Sequence, residues 1–153
     1  ISNFAADESL WNAASLAKFP YDSLDTTFMN TARYNFHNRT KMAFCAFQST
    51  AFGLFHRFKD NTLDEMNKGF RSFYIEDKSR ARFERMRKIM TQKNLTLTEI
   101  VLGYIYCQPD FICIPIVGSH KAEQVLDNFR SGDALLTPED IAFIEGDDKF
   151  SWE

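Results

Sequence analysis

The residues whose types and spacing could do chemistry are Gly118-Ser119-His120-Lys121, followed by Gln124 and Asn128. A glycine that lets backbone approach closely, a hydroxyl, an imidazole and an ammonium in consecutive positions suit an anion such as a phosphate. Gln124 and Asn128 stand one helical turn apart, so their amides share a face. By itself the pattern is unspecific, because short strand–glycine–helix turns are common and most bind nothing. Elsewhere the titratable residues make no catalytic centre. His37, His56 and His120 are scattered, no Ser or Cys sits in a nucleophile arrangement, no carboxylate pair stands out, and no metal-ligand spacing occurs. His37 and His56 read as ordinary surface or loop histidines.

Two elements must position this turn. Phe111-Ile112-Cys113-Ile114-Pro115-Ile116-Val117 is a short, continuously apolar run, the pattern of a strand buried on both faces in a parallel sheet. From Ala122 the apolar residues recur at Val125, Leu126 and Phe129, the spacing of a helix face. The unit is strand, turn, helix. In parallel α/β proteins ligands bind where the chain leaves a strand's carboxyl end, and the first N–H groups of the next helix point at an anion there.

With 153 residues, 44% of them hydrophobic and 25% charged, residues 1–153 suit a single globular unit without repeats or low-complexity tracts. A net charge of −3 provides no basic footprint, which argues against nucleic acid as a partner. No apolar stretch approaches the roughly twenty residues that span a bilayer, which argues against a membrane. Cys45, Cys107 and Cys113 lie in apolar surroundings and read as buried reduced thiols, which implies a cytoplasmic setting. Because the sequence starts at Ile1 with no leader-like segment, the expectation is a piece of something longer.

Upstream, Asp7 is placed to cap a helix with Leu10, Trp11, Ala14 and Ala17 on one face, and Pro20 stops it. Phe28, Met29, Ala32 and Phe36 predict a helix over Asp25 to about Asn38, and Lys41 to Phe47 reads as another buried strand. His56 to Tyr74 reads as a long, polar, irregular loop. Arg80, Arg82, Arg85, Arg87 and Lys88 are interleaved with acids and read as a solvated helix face, opposite a buried stripe of Phe83, Met86, Ile89 and Met90. Thr96 to Glu99 fits a capping box ahead of an apolar helix through Tyr106, and Thr137-Pro138-Glu139-Asp140 starts a closing helix.

The ordered set of motifs resembles the aldo-keto reductase family over nearly the whole chain, from Ser2 through the closing helix. Ile114-Pro115, Gly118, Ser119, Gln124 and Asn128 match the family's last strand and helix. The Thr96–Glu99 start, Tyr104 and Gln108-Pro109 match the helix before that strand. Gln48 to Phe55 resembles the loop after the seventh strand, and Ser2-Asn3-Phe4 the end of the fifth. The resemblance implies an α/β fold, the C-terminal part of an eight-stranded (β/α)8 TIM barrel. Between Pro20 and Asp25 there is no room for the family's sixth strand, so the barrel is expected to be incomplete. An alternative alignment makes Thr27 to Tyr34 that strand and deletes the helix; the helical spacing favours the first.

Several roles follow from the resemblance alone. Ser2 and Asn3 would hydrogen-bond the nicotinamide carboxamide, and Phe47 would stack on its ring. Gly118, Ser119, His120 and Lys121 would meet the phosphate, and Gln124 and Asn128 the adenine edge. The implied cofactor is NADP, with NAD as the alternative, and the implied substrate a small carbonyl compound. His120 stands where many relatives have Arg, a departure that weakens phosphate recognition whenever the imidazole is neutral. The family's catalytic Tyr, Lys, Asp and His come from earlier strands, so no catalytic residue is assigned in this chain. The expected partner is then the N-terminal half of the barrel or another chain. The competing function is a non-catalytic, aldo-keto-reductase-like nucleotide-sensing or interaction protein.

Overall fold

The computed structural model describes residues 37–46, 48–71 and 76–146. Residues 37–40 are helical, and the chain leaves them through Lys41 in the left-handed region at φ 55°. Lys41 fastens this exit with its N–H on His37 O at 2.8 Å and its Nζ on Asn38 Oδ1 and Asp110 O. Of the helix expected from Asp25 to Asn38, only this end is described. The helix expected after Asp7 and both placements of the sixth strand lie outside the described residues.

Strand β1 (Phe44–Ala46) pairs in parallel with β2 (Cys113–Pro115), Phe44 opposite Cys113 and Ala46 opposite Pro115. Phe44 N–H donates to Ile112 O and Ile116 N–H to Ala46 O, each at 2.8 Å. Parallel strands need a long crossover. Here it runs through helices α1 (Leu54–Asp60), α2 (Lys68–Arg71), α3 (Glu76–Lys93) and α4 (Leu97–Tyr106). Helices α5 (Ala122–Arg130) and α6 (Pro138–Glu145) follow β2. The described part is α/β and mostly helical, with one two-stranded parallel sheet. None of its helices is long and apolar enough to cross a membrane.

Helix α4 is the centre of the packing, because its sequence is apolar nearly all round. Leu97 and Ile100 through Ile105 are buried, and the helix touches β2, α3 and α5. Its start is fixed by the expected capping box: Thr96 Oγ1 accepts from Glu99 N–H, and Glu99 Oε2 accepts from Thr96 N–H at 2.6 Å. Gly103 lets the chain at Ala134–Leu136 lie close, since a Cβ there would stand 3.3 Å from side-chain carbons of both residues. On α3 the expected stripe of Phe83, Met86 and Ile89 is buried, with Met90 packed at its margin. Helix α6 opens on the second capping box, Thr137 with Asp140, and Lys93 Nζ meets Asp140 Oδ2 at 2.6 Å.

Several expectations need correction. His56 to Tyr74 is not an irregular loop throughout: α1, a 3-10 turn at Leu63–Glu65 and α2 occupy much of it. Leu54, Phe55, Phe58, Leu63 and Met66 are buried, so scattered aromatics and aliphatics bury one face of a short helix and its C-terminal extension. Nor is the whole basic run of α3 solvated. Arg82 is fully buried, and Arg85 donates to Ile144 O at 2.8 Å and Glu145 O at 3.0 Å, satisfying the last carbonyls of α6. Tyr104 OH donates to the buried Glu145 Oε1 at 2.9 Å. Burial, with the Glu145 charge adding and Arg82 opposing, pushes the Tyr104 phenol well above its ordinary value.

The sheet is buried on one face only. Phe44, Ala46 and Cys113 face the core, while Ile112 is 65% exposed and Ile114 and Ile116 are also open, because no helix of the described part covers that side. Helix α5 forms as its spacing predicts, yet none of its residues is buried and Phe129 is 82% exposed. Of the three free thiols, only Cys113 is fully buried; Cys45 and Cys107 are partly exposed. Finally, His37 is no surface residue. It is buried against Phe44 and Phe111, with Nδ1 2.8 Å from Met42 O.

Candidate functional site

Because β1 and β2 are parallel, the turns that leave them emerge at the same end of the sheet. The turn after β2 is short, and α5 begins at Ala122 with Lys121 as an extended N-cap. Gln124 sets its shape: Oε1 accepts from His120 N–H at 2.9 Å and from Lys121 N–H at 3.2 Å, satisfying donors at the helix start. One turn further on, Asn128 Nδ2 donates to Ser119 Oγ at 2.9 Å. The Ser119 oxygen therefore accepts within the turn, which leaves its proton to be donated to a ligand. Ser131, fully buried, donates to Asn128 O and fixes the far end of the same helix face.

These contacts bring together Ser119, His120, Lys121, Gln124 and Asn128, five of the positions singled out in the sequence. Both amides fold back onto the turn. Ser119 and Asn128 are half-buried, and Gly118, His120 and Lys121 are exposed. Gly118 has an ordinary backbone, and a Cβ built there meets nothing within 4 Å. The fold does not need glycine at this position, so the space is free for a ligand lying against the backbone. A hydroxyl proton, an imidazole and an ammonium around that space are a donor set that fits a phosphate group. Ser2, Asn3 and Phe47 lie outside the described residues.

The turn after β1 is strained. Gln48, Ala51 and Phe52 have φ of 57°, 53° and 53°, left-handed values that L side chains rarely adopt, and Gly53 follows at 75°. Buried Ser49 braces the turn by donating from Oγ to Ala46 O at 2.8 Å. Strain of this kind gathers at ligand clamps and active sites. It was not legible in the sequence, where only Gly53 marks a special backbone.

On the crossover after β1 stands a histidine that sequence reasoning left among the loops. His56 on α1 is half-buried, with Nε2 3.3 Å from Thr98 Oγ1. Burial, and then the nearby Lys59, hold its pKa below the ordinary value, while Asp60 and Asp127 oppose. Among the described residues no group of three or more His, Cys, Asp or Glu is arranged to hold a metal.

Two comparisons bear on this arrangement. No solved structure matches the chain. A family model described as the aldo/keto reductase family matches residues 25–148, which include both strands and every element between and after them. The chain belongs to the aldo/keto reductase family, oxidoreductases of the TIM-barrel class that work with nicotinamide cofactors.

Proposed function

We propose that residues 1–153 form part of one β/α barrel that reduces small carbonyl compounds with NADPH, and that this chain holds the cofactor's phosphate end. The observation that carries the reading is the Ser119–Asn128 hydrogen bond beside Lys121. It prepares a hydroxyl donor next to a cation, the pair that a 2′-phosphate requires. When bound, the cofactor supplies the hydride. The residues of this chain bind and orient: Gly118 leaves room for backbone approach, Ser119 donates, and Lys121 contributes charge. The proton that completes carbonyl reduction is assigned to a Tyr on another strand of the barrel.

The uncovered side of the sheet and the open apolar face of α5 support a barrel whose remaining elements seat there. The three free thiols support a reducing, cytoplasmic setting. The test is titration of the barrel containing this chain with NADPH and NADH, with and without Lys121→Ala. Tighter NADPH binding that the substitution diminishes supports the proposal. Equal affinity for the two cofactors, unchanged by the substitution, refutes it.

A further inference from the structure

The start of α5 is capped unlike those of α4 and α6. At Thr96 and Thr137 the N-cap hydroxyl accepts from the N–H three residues on, and the acid there accepts from the N-cap N–H, so both halves of the box close. At α5 the N-cap is Lys121, whose ammonium has donors and no acceptor, and it makes no side-chain cap. Gln124 supplies the oxygen instead. Its Oε1 accepts from Lys121 N–H at 3.2 Å and also from His120 N–H at 2.9 Å, so two consecutive backbone donors converge on one point.

Two converging N–H groups beside a hydroxyl and an ammonium are surroundings that suit an anion's oxygen, and here a neutral carboxamide oxygen stands in that place. Gln124 is exposed, so its side chain can turn outward without leaving a hole in the core. The exchange favours the anion. A hydrogen bond to a charged oxygen is roughly twice as strong as one to a neutral oxygen, and the released side chain regains rotamer freedom. The Asn128–Ser119 bond is left in place, because it uses neither N–H group. We infer that Gln124 is a gate on the turn after β2: its carboxamide closes the two N–H groups in the free protein, and a phosphate oxygen takes them as the carboxamide swings out. The inference rests on the reading of this turn as a phosphate site and adds what keeps that site shut.

The test uses the full chain with inorganic phosphate, and follows the backbone amide resonances of His120 and Lys121 and the side-chain amide of Gln124 alongside calorimetry. Phosphate should move both backbone signals and bring the Gln124 side-chain signals to the position of a solvated carboxamide. Gln124→Ala removes the oxygen that must be displaced, so phosphate should bind about three- to tenfold more tightly than to the parent chain, the scale of one net hydrogen bond. Gln124→Met keeps the length of the side chain without its oxygen and should behave in the same way. Gln124→Glu sets a carboxylate on the same two donors and should weaken phosphate by roughly tenfold. Weaker binding in both Gln124→Ala and Gln124→Met would show a brace and not a gate. Unchanged binding in those variants, phosphate bound with the Gln124 signals unmoved, or no phosphate bound by parent or variant would equally overturn the inference. The NADPH and NADH titration keeps the two proposals apart: a preference for NADPH that Lys121→Ala diminishes leaves the phosphate site standing when the gate fails.

Discussion

Asn128 Nδ2 donates to Ser119 Oγ at 2.9 Å, so a residue on the second turn of α5 holds the hydroxyl in the turn after β2. Asn128→Ala should therefore weaken NADPH binding by about three- to tenfold, the worth of one net hydrogen bond, and weaken NADH binding less. Ser119→Ala should do the same. In a double-mutant cycle the two losses should not add, because each removes the same contact. Additive losses would show that the two residues bind separately.

Gly118→Ala separates ligand binding from folding. With an ordinary φ and nothing within 4 Å of the added Cβ, the substitution should leave stability unchanged or raise it by up to about 1 kcal/mol. Affinity for NADPH should nonetheless fall, because the methyl group occupies the space against the backbone. Urea unfolding and a cofactor titration on the same preparation check the two halves. Unchanged affinity would mean that no ligand lies against Gly118.

The opposite behaviour is expected at Gly146. Its φ of 66° with ψ of −148° is a conformation essentially reserved for glycine, and a Cβ would come 2.6 Å from Arg85 Cζ. Gly146→Ala should cost about 1–3 kcal/mol from backbone strain alone, with a further loss as Arg85 is pushed off Ile144 O and Glu145 O. Arg85→Ala should recover part of the loss when combined with Gly146→Ala. Urea midpoints of the single and double variants test this.

Much of the fold is legible in the sequence because local chemistry decides it. The capping box at Thr96, the helix start at Thr137-Pro138, the stripe of Phe83, Met86 and Ile89, and the apolar circumference of α4 each follow from spacing within a few residues. What is illegible depends on distant residues. Nothing near Arg82 tells that it will be buried. The periodicity of α5 gives its helix correctly but says nothing of what covers Val125, Leu126 and Phe129. At the site, Gln124 and Asn128 are marked by the resemblance to the family's last strand and helix, and spacing puts them on one helix face. Their use in shaping the turn depends on side-chain rotamers, and the left-handed run at Ala51 and Phe52 has no residue signature.

His56 gives the pH dependence a sign. Burial and Lys59 lower its folded pKa beneath the ordinary 6.5, so the unfolded chain takes up a proton first as the solution is acidified. The stability contributed by neutral His56 is present above the unfolded value and is lost as pH falls through the lowered folded one. Stability should then decline as pH falls below about 6.5 more steeply in the parent chain than in His56→Gln. Parallel declines would assign the acid sensitivity to other groups.

Helix α5 shapes the turn after β2, yet it buries no residue of its own. Its attachment to the molecule is made by its ends, through Ser119, Gln124, Asn128 and Ser131, and by contact with α4. A segment with so little burial opens at low free energy compared with a core helix such as α4. Its amide hydrogens should thus exchange with solvent well before those of α4. A dinucleotide gripping the turn would slow that exchange along the whole of α5, because closing the turn and closing the helix are one event.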